Sequence, residues 1–164
     1  MVVLLVALGN HVLAQADMRF FVGDWDFRIW GTADITGDPA LSGTWHLENG
    51  LDSALALVGR VELSDGPGMQ GGLFTRELIT YDGYTKLYTR TIVTNAGSSY
   101  TFHSTGWKGE RLTWSGTQRS SSGEVELREE IERTGPGSFS AIFHRKDGDD
   151  WVLKSNERLV RKTR

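Results

Sequence analysis

The stretch Phe20–Trp30, FFVGDWDFRIW, decides how the rest of the chain is read. Trp25, Phe27 and Ile29 alternate with Asp24, Asp26 and Arg28, so apolar and charged side chains fall on opposite faces. That period of two belongs to a half-buried strand and not to a helix. Asp17 to Val22 is expected to form one short helical turn before it, and Gly31 closes it.

Working outward, the same alternation recurs between turn signals. Strands are expected over Gly43–Glu48, Ser53–Leu63, Phe74–Tyr81, Lys86–Thr94, Ser99–Thr105 and a segment carrying Leu112 and Trp114. Glu124–Arg133, Phe139–Lys146 and Trp151–Arg161 complete the set. Asn49-Gly50, Asp82-Gly83, Lys108-Gly109 and Asp147-Gly148 supply tight turns, and Asp65-Gly66-Pro67-Gly68 breaks the chain. Glu124–Arg133 could be helical by composition, but Val125, Leu127, Glu129 and Ile131 alternate as in a strand. The fold class is therefore all-β: one antiparallel up-and-down barrel of about eight to ten strands, closed because closure removes exposed edges.

Composition narrows the function classes. The chain has 164 residues, a formal net charge of -3, six tryptophans, twenty glycines and no cysteine. A chain of this length forms one domain. Weak negative charge disfavours nucleic acid, whose phosphates call for a basic footprint. The absence of cysteine removes disulfides, thiolate metal sites and cysteine nucleophiles. Residues 1–16, MVVLLVALGNHVLAQA, combine a short apolar run with the small-x-small end Ala14-Gln15-Ala16. They read as a signal peptide, too short an apolar stretch for a stable membrane span. The expected domain is then residues 17–164, exported to a bacterial periplasm or secreted.

Strand parity nominates the interior. Trp25, Phe27, Ile29, Leu112, Trp114, Val125, Leu127, Ile131, Phe139, Ala141, Phe143, Trp151 and Leu153 are expected to point inward. Glu129 and Glu157 share register with these apolar residues, and Arg90 shares a face with Tyr88 and Ile92. Arg76 or Glu77 must also point inward from its own strand. Carboxylates inside an apolar barrel are costly unless paired, so a cluster of acid, arginine and tyrosine is expected. A one-residue bulge that turns Glu129 outward is the alternative.

Other motifs carry little chemistry. His46, His103 and His144 lie on separate strands without ligand spacing, so neither a metal nor a cofactor is expected. Ser120–Gly123 is a turn and not a nucleophile elbow. The run Gly66–Gly72, GPGMQGG, lacks the lysine of a phosphate loop and reads as a flexible loop at the open mouth. The basic end RLVRKTR reads as a solvated tail.

Several motifs together resemble a known group. FFVGDW, SGTW at Ser42–Trp45, ITYDGYTKLYTR at Ile79–Arg90, GWKGERLTWSGT at Gly106–Thr117 and DGDDWVLKSNERLV at Asp147–Val160 carry the likeness. The chain resembles lipocalin-like (calycin) β-barrels, and more closely a bacterial domain-of-unknown-function family with a Gly-x-Trp step on its first strand. The resemblance implies that Trp25 plugs one end of the barrel beneath an arginine of the last strand, Arg158, with Arg161 as the alternative.

The function expected from this reading is binding of a small, partly hydrophobic ligand inside the barrel. Trp45, Trp114, Phe143 and Tyr100 would supply apolar contact, and Arg90, Tyr88 and Glu129 a polar end. One alternative is a small-barrel isomerase, cyclase or hydrolase using Glu129 or Glu157 as acid or base. Another is an interaction module presenting Trp30 and Trp107 outward, and a homodimer stays open.

Overall fold

A computed structural model describes residues 18–50, 56–64 and 71–163. The candidate signal segment 1–16, the Asp65–Gly68 break and most of the glycine-rich run lie outside the described residues. A 3-10 turn, Arg19–Phe21, precedes ten antiparallel strands. They are β1 (Gly23–Trp30), β2 (Leu41–Asn49), β3 (Ala56–Leu63), β4 (Leu73–Asp82) and β5 (Leu87–Thr94). β6 (Ser99–Ser104), β7 (Arg111–Ser120), β8 (Gly123–Gly135), β9 (Ser138–Asp147) and β10 (Asp150–Arg161) follow. Each strand pairs with its neighbour in sequence, and β1 pairs with β10, closing the barrel.

The alternation read from the sequence produces this closure directly. On β1, Trp25 and Phe27 are buried while Asp24, Asp26 and Arg28 are exposed. Trp25, Trp114, Phe21, Phe102, Leu47, Leu112 and Leu127 are the largest side chains fully removed from water. Their burial favours closure by roughly 1.5–3 kcal/mol each.

One end of the barrel is sealed by aromatic rings. The 3-10 turn drops Phe21 against Trp45, Trp107 and Phe139, with ring centroids 5.4–5.5 Å apart. The Trp25 indole donates to the Phe21 carbonyl at 2.8 Å. Arg161 lies 4.3 Å above the Trp25 ring and donates to the carbonyls of Val22 and Phe20. Gly23 makes room for it: φ is +132°, and a Cβ there would stand 2.6 Å from an Arg161 guanidinium nitrogen. Arg161 and not Arg158 is thus the arginine over the plug. Arg158 pairs with Arg28 on the outer face, whereas Arg161 pairs with Trp25.

A second correction concerns the last strand. The β9–β10 register slips between Leu153 and Ser155. Trp151 pairs with Lys146 and takes cations from Lys146 and Arg128, at 5.3 and 4.8 Å, on the outside of the barrel. Leu153 pairs with His144 and lines the recess at the barrel mouth. Neither joins the buried core as the simple alternation predicts, because one extra residue shifts parity on the mouth side of the bulge. Glu157, Leu159 and Arg161 lie beyond it and keep their inward register.

The outward aromatic patch also changes. Trp30 is buried, and its indole donates to the carbonyl of Gly37, so the 31–40 loop covers it. Trp107 stacks on Phe21 beneath Arg133, 3.9 Å from its ring. The two tryptophans form parts of the packing and not a shared contact surface.

Candidate functional site

Above the aromatic seal, the middle of the barrel carries charge. Arg90 on β5 donates through Nε to Glu77 on β4 and through Nη1 to Glu129 on β8, both at 2.8 Å. The other oxygen of Glu77 accepts the Trp45 indole N–H from β2. Arg90 also stands 5.6 Å from the Trp45 ring centroid. A chain of polar contacts thus crosses the interior from β2 to β8. Gly59 on β3 leaves the space: a Cβ there would meet Glu77 Oε1 at 2.8 Å. Glu129 is 3% exposed, so no bulge turns it outward.

Glu157 on β10 completes the belt without bonding to Arg90. It accepts a hydrogen bond from the Ser155 hydroxyl at 3.2 Å. The described interior therefore holds three buried acids around one buried arginine. Burial would by itself lower the Arg90 pKa, but Glu77 and Glu129 outweigh it and hold the guanidinium above its ordinary range. Burial pushes Glu129 up to about 7 against the opposing pull of Arg90. Burial, helped by the Glu129 charge, pushes Glu157 up to about 8. At neutral pH Glu157 is mostly a neutral acid that can donate a proton.

The structure brings Trp45, Arg90, Trp114, Glu129 and Glu157 around one cavity of about 30 Å³. That is room for about one or two waters and not for an organic ligand. Tyr88 stands apart from it, with its ring 4.9 Å from Tyr81. Phe143 packs on Phe102, with centroids 6.1 Å apart, and Tyr100 stacks on Phe102 at 6.2 Å. His46 bonds Asp24 at 2.7 Å, and His103 lies 3.2 Å from the Thr89 hydroxyl. Among the described residues no three metal-ligating side chains converge, and no helix is long and apolar enough to cross a membrane.

A larger recess lies at the end opposite the seal. The β8–β9 ladder begins only at Leu127↔Arg145, so the β7–β8 and β9–β10 hairpin tips part beyond it. The cleft between them has a volume of about 340 Å³. Gln118, Val125, Arg145, Val152 and Lys154 line it. Lys154 is the bulged residue: it turns in, donates to Gln118 Oε1 at 3.1 Å and lies 5.8 Å from the Tyr100 ring centroid. Burial lowers its pKa; the nearby Glu157 opposes that shift and Arg145 adds to it. Simple parity misses Lys154, since the bulge inverts the last strand, whereas Arg145 and Gln118 continue the inward parity of Phe143 and Trp114 toward the mouth. Parity narrows Glu77 only to a choice with Arg76.

No protein-family model matches the chain, and no curated protein matches it in sequence. Its fold is similar to that in the crystal structure of Rv2717c from M. tuberculosis. The two share a TM-score of 0.65 at 12% identity, over 92% of this chain and 98% of that one. The likeness is one of fold.

Proposed function

We propose that this chain is a lipocalin-like barrel, exported from a bacterial cell, that binds a small, partly hydrophobic molecule. The supporting observation is the cleft of about 340 Å³ between the β7–β8 and β9–β10 hairpin tips, at the end of the barrel away from the aromatic seal. That volume falls in the usual range for small-molecule sites. The ligand occupies the cleft above the charged belt, not the filled middle. Of the side chains expected from the sequence to hold the ligand, none lines this cleft: Tyr100 meets it only through Lys154, and Trp45, Trp114, Arg90 and Glu129 line the small inner cavity instead.

The test is native mass spectrometry of protein purified from its own host without denaturation. A stoichiometric adduct, released on denaturation and absent from Val152→Trp, is the expected result. Bare polypeptide mass in both forms overturns the proposal.

A second reading has one specific support. Glu157 is the buried acid that Arg90 does not bond, and it faces the small cavity in its neutral form. A substrate reaching it from the cleft would meet a general acid. Conversion of the co-purified molecule by wild type but not by Glu157→Gln would favour this reading, and equal conversion would end it.

A further inference from the structure

We infer that the cleft is built for an anionic head group, and that its ligand is a small amphiphilic carboxylate. This rests on the cleft being the binding site. Arg145 and Lys154 are the two charged side chains lining it, and both are cationic. The remaining polar wall is neutral: Gln118, Ser120 and Ser122.

The acids of the flanking strand point elsewhere. Glu124 and Glu126 alternate with the inward Val125, and Glu124 binds Arg119 across the β7–β8 pair. Asp147 lies 3.8 Å from Arg145, but both are largely exposed, so that pair holds weakly and yields to a ligand. Asp149 and Asp150 sit in the exposed β9–β10 turn. Glu157, one step deeper than Lys154, is mostly uncharged at neutral pH. The two side-chain charges that line the cleft are therefore both positive, with Asp147 at the rim beside Arg145 and Glu157 one step deeper than Lys154.

The bulge is the device that creates this arrangement. Without the slip between Leu153 and Ser155, Lys154 would lie on the outer face. Instead it is turned onto the Tyr100 ring and held by Gln118. A lysine beside an arginine repels it, and a carboxylate between them relieves that repulsion. Arg145 can grip both carboxylate oxygens while Lys154 supplies a third donor. The apolar body has its own wall: Val152 is 45% exposed within the cleft, next to Val125. Covering it favours a ligand with a short hydrocarbon part.

The experiment is a heteronuclear NMR titration with octanoate, 1-octanol and octylamine, which share a chain and differ in head group. Octanoate is expected to shift the amides of Gln118, Val125 and Val152 with a Kd at least tenfold below that of 1-octanol. Octylamine should bind more weakly than either. Arg145→Gln with Lys154→Gln should erase the octanoate preference and leave 1-octanol binding unchanged. Equal affinity for octanoate and 1-octanol at these amides overturns the anionic head group while keeping the cleft as a binding site. Octanoate shifts confined to surface lysines, with none at the cleft for any probe, overturn both.

Discussion

The sealed end and the charged middle of the barrel each hold a buried or half-buried arginine, used in opposite ways. Arg161 lies on the Trp25 ring and donates to two backbone carbonyls, with no carboxylate in contact among the described residues. Arg90 lies between Glu77 and Glu129 with Glu157 nearby, so the acids outnumber it. The first arrangement is closed by packing. The second leaves negative charge in excess inside a low-dielectric interior, and protons must take it up. The seal holds its end closed by packing, and the belt is the part whose charge depends on pH.

Removing each region's central group should break this contrast most sharply. Arg90→Met strands two buried carboxylates and should cost about 5 kcal/mol in urea unfolding at pH 8. Much of that loss should return at pH 5, where the orphaned acids accept protons. Trp25→Ala should cost about 4 kcal/mol, through the cavity it leaves in the seal, and by the same amount at both pH values. If the Trp25 variant instead recovers at pH 5, the two ends are coupled and the division is wrong.

Glu157 sharpens the belt's half of the comparison. Its folded pKa, about 8, lies above the ordinary value of 4.5, so the folded state holds the extra proton between them. Stability from this group is complete below pH 4.5 and falls as pH rises toward 8. Glu157→Gln keeps the shape without the titration. It should match wild type at pH 4.5 and exceed it by about 4 kcal/mol at pH 8.5. Parallel pH profiles for the two proteins would show that Glu157 is charged throughout.

Sequence legibility divides along related lines. The barrel is legible because alternation is local: each strand states which face it buries without knowing its neighbours. Glu129 and Glu157 are legible by the same logic, as acids in apolar register. The cleft is not. Its key lysine depends on a slip at Leu153–Ser155, and β10 shows no glycine or proline there to announce it. Trp151 looks inward by simple counting and is outward for that reason alone. Trp30 falls on the outer face by parity, but the strand pattern says nothing of the loop that folds over it and buries it. The choice between Arg158 and Arg161 was legible, since Arg161 shares parity with Glu157 and Leu159.

The smallest effect tests why the first strand opens with Gly-x-Trp. Arg161→Met removes the cation from the Trp25 ring and its two carbonyl bonds, and should cost about 2 kcal/mol. Gly23→Ala should cost a similar amount from two sources: a backbone at φ +132° that disfavours a side chain, and a Cβ in the path of the guanidinium. Only the second source depends on Arg161. In the double variant that clash is absent, so the two costs should fall short of additivity by about 1 kcal/mol. Full additivity would mean that Gly23 serves the backbone turn alone. A shortfall would make the glycine a socket for Arg161, and the Gly-x-Trp step a single device that seats an arginine on its tryptophan.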